Sequence, residues 1–353
     1  MTLVWNQKWW LTTTLVRSLF SRLINYRFTI TFVFIGILLW FQTPVKYEIK
    51  GNAFGTNYHI IYFKPRQFLL KQVNFNSMAT EFLNDFDLKF STYRSDSIVS
   101  QFNQYRSSDS FKVPKDVYDL FYRSAHYFYQ MDGYWDPTML GLSQSLGLHP
   151  SDSSPINSTI VFGYPSITLN KNGSISKTNP NIGVDFSSVA KGLAVDQLIQ
   201  LFLNAGIDHV YVNIGGEIRT VGGKPNGEPW RIAIYSPTDN GRSSKIISAK
   251  DIALATSGNY INSVVKDGES FGHILNPIDG TAVKHGMISV TIIADSCEVA
   301  DALATGLFAM GPDIAKKWLI HHPSISAYFI YKSNHSSLVN EALIHEFETF
   351  LVK

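Results

Sequence analysis

The sequence predicts a mixed α+β domain, with mixed sheets and packed helices, standing behind an amino-terminal membrane anchor. Three observations predict it. Short runs alternate apolar and polar residues like half-buried strands, as in Tyr58-His-Ile-Ile-Tyr-Phe63. Longer stretches repeat apolar residues at helical spacing, as from Phe68 to Phe90. One apolar segment near the start follows four cations and no acidic residue.

That segment comes first in the chain. Residues 28–45 contain no charged side chain, and the stretch Phe28 to Phe41 is its densest part. A membrane span needs about 17–20 apolar residues, so the segment is long enough at the short end. Lys8, Arg17, Arg22 and Arg27 precede it, with no Asp or Glu among residues 1–45. The positive-inside bias then keeps residues 1–27 in the cytoplasm and exports the rest of the chain. A cleaved signal peptide is the rival reading, but Gln42-Thr43-Pro44 is a poor cleavage site. The expected organisation is a basic cytoplasmic terminus at 1–27, a transmembrane anchor at 28–45 and one catalytic domain at 46–353.

Composition narrows the function of that domain. The chain has 353 residues, 45% of them apolar and 16% charged, which suits a folded protein with a sizeable core. The net charge is +2. With the four early cations set aside, the remainder is slightly acidic, so no nucleic-acid surface is expected. The lone cysteine, Cys297, excludes an internal disulfide and a cysteine-rich metal cluster. Its apolar surroundings suit a small core residue.

Further elements are legible along the chain. Lys115 to Met131 reads as a helix stopped by Asp132-Gly133, and His149 to Asn157 as a loop. Ser187 to Asn204 reads as a helix closed by Gly206, with Asp185 or Ser187 as its cap. His209 to Ile214 and Trp230 to Tyr235 read as strands. Ile288 to Ile293 is a strand feeding a helix from Glu298 to Met310.

Several short patterns carry chemistry. Asp301 and Thr305 stand four apart in Ala300-Asp-Ala-Leu-Ala-Thr305, on one helix face. They offer two hard oxygens to Mg²⁺, although a partly buried Asp beside a back-bonded Thr has the same spacing. In Val184-Asp-Phe-Ser-Ser-Val-Ala-Lys-Gly192 a strand runs into a helix start. Helix starts attract anions, and Lys191 one turn inside suggests a phosphate, or else a solvated lysine past a capping motif. Asn213-Ile-Gly-Gly-Glu217 marks a tight turn and fits neither a dinucleotide fingerprint nor a Walker loop. Ala255-Thr-Ser-Gly258 presents hydroxyls at a turn. His273 precedes the turn at Asn276-Pro-Ile-Asp-Gly280 and is a candidate base. Tyr93, Tyr134 and Trp135 offer flat faces to an aromatic ligand, with Asp136 beside them.

In this order the blocks resemble those of the FAD:protein FMN transferase (ApbE) family, from about Gly51 to Leu319. They run from Ala53-Phe-Gly-Thr-Asn-Tyr58 and Phe90-Ser-Thr-Tyr93 through Gly133-Tyr-Trp-Asp-Pro-Thr138 and Asp185 to Asp196. They continue with Asn213 to Glu217, Ala255 to Gly258, His273 to Gly280, and Ala300 to Thr305. The resemblance implies a flavin transferase domain and FAD as substrate. It implies a flavin pocket at Phe54, Tyr93, Tyr134, Trp135, Asp136, Asp185, Lys191 and Ile274. It implies Mg²⁺ at Ser188, Asp301 and Thr305, with His273 as the catalytic base. It further implies a partner, an acceptor flavoprotein of membrane electron transport carrying the target Thr or Ser, and a location on the periplasmic side of the inner membrane. Alternatives from other classes are a non-catalytic FAD-binding protein and an FAD pyrophosphatase. Phe54 stands where the family usually has Met, and no lipobox cysteine is present, a role the 28–45 segment would replace.

Overall fold

The computed structural model describes residues 26–36, 40, 43–66, 73–149, 161–235, 243–259, 263–266, 269–332 and 339–352. The chain forms two compact units, one of residues 1–47 with 63–72 and one of residues 48–62 with 73–353. In the first, residues 26–36 are helical and expose Phe28, Phe32, Phe34 and Ile35. The Arg66 guanidinium lies 4.4 Å from the Trp40 ring centre and donates to Thr43 Oγ1 at 3.1 Å. Among the described residues no helix is long and apolar enough to cross a membrane. The basic terminus up to residue 25, and residues 37–39 and 41–42 of the expected anchor, lie outside the described residues.

The second unit is built on an eight-stranded sheet. Strands β1 (Pro44–Ala53) and β2 (Thr56–Pro65) are joined by the two-residue turn Phe54–Gly55. Both turn residues have positive φ, 53° and 72°, the geometry that suits a tight hairpin. Tyr58, Ile60 and Tyr62 alternate into the core, the pattern read from the sequence. Helix α1 (Phe75–Phe90) comes next, capped by Asn74, whose side chain accepts from Ser77 N at 3.1 Å. Residues 68–72 of the helix expected from Phe68 lie outside the described residues; Asn74 supplies the acceptor that this helix start needs. Its buried stripe is Phe75, Ala79, Leu83, Phe86 and Phe90.

Helix α2 (Ile98–Gln104) and strand β3 (Phe111–Lys112) lead to α3 (Lys115–Gln130) and the short α4 (Leu140–Ser145). Strands β4 (Ile167–Leu169) and β5 (Ser174–Lys177) complete a small sheet of order β3-β5-β4. Helix α5 (Ala190–Asn204) then gives way to β6 (Val210–Ile214) and β7 (Glu217–Val221), a hairpin turned by Gly215–Gly216. The pairs β8 (Trp230–Tyr235) with β9 (Ser243–Ala249), β11 (Ser263–Lys266) with β12 (Glu269–Gly272), and β13 (Leu275–Asn276) with β14 (Thr281–Ala282) stand outside the main sheet. Strands β10 (Ala253–Gly258) and β15 (Met287–Ala294) pair antiparallel, and β16 (Ser326–Lys332) and β17 (Val339–Ile344) close the edge. The main sheet has the order β1-β2-β6-β7-β10-β15-β16-β17.

Helix α6 (Cys297–Ile320) packs beside α5 against β7, β10 and β15. Its first half is the helix expected to end at Met310. At Gly311 the backbone leaves helical geometry, with φ 75° and ψ 171°, and a second helical segment resumes through Pro312 to Ile320. A proline suits the first turn of a helix, so here it starts a segment as well as ending one. Cys297 is buried, as its apolar setting predicted.

Candidate active site

The site is centred where α5 and α6 begin. The structure corrects one expectation here. Helix α5 starts at Ala190, and Ser187 to Val189 form a turn ahead of it. The reason is Asp185, whose carboxylate accepts from Ser187 N at 2.9 Å and from Ser187 Oγ at 3.0 Å. It therefore closes a local turn and does not cap the helix. Lys191 reaches back over this turn and donates to Ser187 O at 3.2 Å. Its cation is also matched within the protein: Nζ lies 3.2 Å from Glu217 Oε1 and 3.7 Å from Asp301 Oδ1.

Close helix approach makes this possible. A Cβ at Gly192 would run into the carbonyl of Cys297 at the start of α6. Without one, Gly192 N donates to Asp301 Oδ2 at 3.0 Å. Asp196 fixes the same junction: it accepts from Cys297 N at 3.0 Å and Glu298 N at 2.9 Å, and pairs with Arg219 at 2.5 Å. Thr305, one turn beyond Asp301, shares a 3.0 Å hydrogen bond with Ser257 Oγ of β10. Ser188 lies half-buried in the turn beside Ser187.

Burial governs the electrostatics. It pushes the Asp301 carboxyl up against the opposing pull of Lys191 and the Gly192 N–H. It raises Glu217 to about 7, with Lys191 opposing and Asp301 adding to the rise. Burial penalises the Lys191 cation as well, but Asp301 and Glu217 outweigh that and raise its pKa. Glu217 Oε2 is buried with no hydrogen-bond partner among the described residues. Two buried carboxylates thus share one lysine, and the cluster can take a further cation. The hard oxygens of Asp301, Thr305 and Ser188 suit Mg²⁺. Among the described residues no group of three His, Cys, Asp or Glu side chains forms a metal cluster, so hydroxyls would have to complete this set.

The other residues singled out in the sequence lie around this centre. Tyr93 is 67% exposed and stands in the loop after α1. Thr92 Oγ1 donates to Asp185 Oδ1 at 3.3 Å. Asp185 N in turn donates to Pro137 O at 2.7 Å, which ties the turn after Asp136 to the same loop. Asp136 caps the 3₁₀ turn Pro137–Met139, accepting from Thr138 N at 2.8 Å and Thr138 Oγ1 at 2.7 Å. Burial raises its pKa. Tyr134 is half-buried, while Trp135 is buried and packs edge-on to Tyr127 at 5.5 Å. Ile274 is buried and its N donates to Asn259 Oδ1 at 3.3 Å, two residues beyond Ser257. His273, its neighbour, is exposed. Phe54, at the β1–β2 turn, lies 5.4 Å from Phe86.

Glu217 is the residue that sequence reasoning left without a role. Its only local signal is its place after Gly215-Gly216. Its burial against Lys191 emerges when β7 is laid beside the start of α5.

A turn at a helix start, a buried carboxylate–lysine–carboxylate cluster with room for a further cation and an exposed tyrosine on a neighbouring loop make up the candidate site. The chain belongs to the ApbE family, which it matches over residues 54–329. It is 34% identical over 275 residues to the FAD:protein FMN transferase of Vibrio cholerae, covering 75% of this chain and 82% of that protein. The Haemophilus influenzae FAD:protein FMN transferase is 29% identical over 301 residues, covering 81% and 87%. Among solved structures, the flavin transferase ApbE of Vibrio cholerae matches with a TM-score of 0.77 at 30% identity, over 88% of this chain and 100% of that one. The apo flavinyl transferase ApbE of Pseudomonas stutzeri matches at 0.76 and 27%, over 87% and 97%.

Proposed function

We propose that this protein is an FAD:protein FMN transferase, moving FMN from FAD onto a Thr or Ser hydroxyl of an acceptor flavoprotein. The observation that carries the reading is the pairing of Lys191 with Glu217 and Asp301, one helical turn from Thr305. In this reading Phe54, Tyr93, Tyr134, Trp135, Asp136, Asp185 and Ile274 set the flavin pocket. Lys191 faces the pyrophosphate. The acceptor hydroxyl oxygen attacks the phosphorus of the FMN half and forms a phosphoester. The bond to the AMP oxygen breaks, and its electron pair leaves with AMP. His273 takes the hydroxyl proton. The nucleophile belongs to the partner. Mg²⁺ held by Asp301, Thr305 and Ser188 would neutralise charge on the pyrophosphate. Residues 28–45 anchor the enzyme in the inner membrane with residues 46–353 outside, facing an acceptor of a membrane electron-transport complex.

The test is incubation of the protein with FAD, Mg²⁺ and an acceptor domain, followed by mass spectrometry and AMP assay. The expected result is one FMN ester on a Thr or Ser for each AMP released. Asp301→Ala should slow transfer by roughly 100-fold or more, as losing several kcal/mol of charge stabilisation requires. Transfer at the parental rate overturns the metal assignment. Free FMN in place of labelled acceptor marks a hydrolase.

A further inference from the structure

His149 is a buried imidazole that the transfer chemistry leaves without a role. It is 5% exposed, yet it touches the loop that carries Tyr93. The two rings lie 4.4 Å apart with 33° between their planes. Tyr93, backed on that side, remains 67% exposed. An aromatic ring supported on one side and open to solvent is a stacking platform.

The polar contact points the same way. His149 Nε2 lies 2.8 Å from Thr92 Oγ1, and Thr92 Oγ1 donates to Asp185 Oδ1 at 3.3 Å. A threonine hydroxyl has one proton, and a carboxylate can only accept. In the tautomer with a proton on Nε2, His149 donates to Thr92 while Thr92 donates to Asp185, and both contacts are then hydrogen bonds. In that tautomer the bonds run in one direction, from His149 through Thr92 to Asp185. Asp185 then holds the Ser187 turn from which Lys191 springs. One side chain thus braces the exposed ring and, through a hydroxyl, the carboxylate at the start of α5.

We infer that His149 is a positioning residue for the FAD substrate, holding Tyr93 and Asp185 in register so that the isoalloxazine stacks on the open Tyr93 face. This rests on the flavin-transfer reading above. A residue that only supported the local fold would not distinguish between FAD binding and turnover. His149 acts on binding, because neither of these two contacts reaches the scissile phosphorus directly.

The experiment measures FAD binding by flavin fluorescence and transfer kinetics for the full chain and four variants. His149→Ala is expected to raise KM for FAD about tenfold, with kcat within about twofold. His149→Phe keeps the stacked support, so it retains the parental fluorescence change but shows the KM of Thr92→Val. Thr92→Val raises KM several-fold, and Thr92→Ser restores it. If His149→Ala fails to fold, the Thr92 pair decides the matter. His149→Ala binding FAD as the parent does, while the parent transfers flavin, overturns this inference alone. So does a fall in kcat with KM unchanged, or a Thr92→Ser variant no better than Thr92→Val. A parent that binds no FAD overturns the flavin reading and this inference together.

Discussion

Lys191 stands between two carboxylates that are themselves out of water. Removing one member of such a group leaves buried charge without compensation, which costs about 3–5 kcal/mol. Lys191→Met should therefore destabilise the metal-free protein at pH 8 by about 3 kcal/mol. Adding Glu217→Gln removes one of the stranded charges and should recover a large part of that loss. Urea denaturation of the two single variants and the double variant checks this, and strictly additive losses would show that the pair is not coupled. Lys177 offers a second, independent measurement. It is buried and donates to Phe102 O and Ile182 O, both at 3.0 Å, with no carboxylate among these partners. Burial, with Arg106 adding repulsion, lowers its pKa from an ordinary 10.5 to about 8. Between those values the unfolded chain holds more protons than the folded one, so this group makes stability rise with pH. The term reaches roughly 3 kcal/mol at most. The stability of the parent relative to Lys177→Met should therefore grow from pH 8 to pH 10.5. A flat difference across that window would remove the argument.

At the scale of elements, the site depends on how closely α5 lies on α6. A Cβ at Gly192 meets backbone, which cannot swing aside. Gly192→Ala should cost about 2–3 kcal/mol as overpacking does, and should weaken the hydrogen bond that orients Asp301. Gly206 provides the contrast: it has a φ of 81° and open space around its Cβ position. Gly206→Ala should cost only about 1 kcal/mol, from backbone conformation alone. Equal losses in chemical denaturation would mean that helix contact is not what Gly192 serves. This junction also marks what the sequence reveals and what it hides. The Tyr58–Phe63 alternation and the Lys115–Met131 spacing are local patterns, and the strand and the helix, which ends at Gln130, lie where the patterns put them. The start of α5 differs from its expected place because Asp185 has two backbone options, a turn or a helix cap, and sequence does not rank them. The second half of α6 escapes sequence reading because Pro312 reads as a stop, while here it opens a new helical segment. Asp301 and Thr305 are legible as an i, i+4 pair. Glu217 is not, because its partner lies on another element and no spacing records that contact.

At the scale of the whole molecule, insertion energetics give the location of the site a sharp test. Residues 28–41 hold about ten apolar side chains, worth roughly −0.3 to −0.6 kcal/mol each near the middle of a span. The total favours insertion by roughly 3–6 kcal/mol. A charged residue at the centre of a span costs about 2.5–3.5 kcal/mol, so two together cancel the whole gain. The double variant Phe34→Asp and Ile35→Lys places both at the centre of this segment. The parent should stay in the membrane pellet through alkaline carbonate washing, while the double variant should pass to the supernatant. In spheroplasts, added protease should digest the parent's catalytic domain if the proposed orientation holds, in which the four cations before the segment keep residues 1–27 inside. The substitutions lie far in sequence from Lys191, Glu217 and Asp301, so the released variant should transfer FMN to a soluble acceptor domain at the parental rate. A parent released by carbonate would remove the anchor from the account and leave the transfer chemistry untouched. A parent retained in the pellet but protected from external protease would keep the anchor and reverse its orientation, placing the site and its acceptor on the cytoplasmic face.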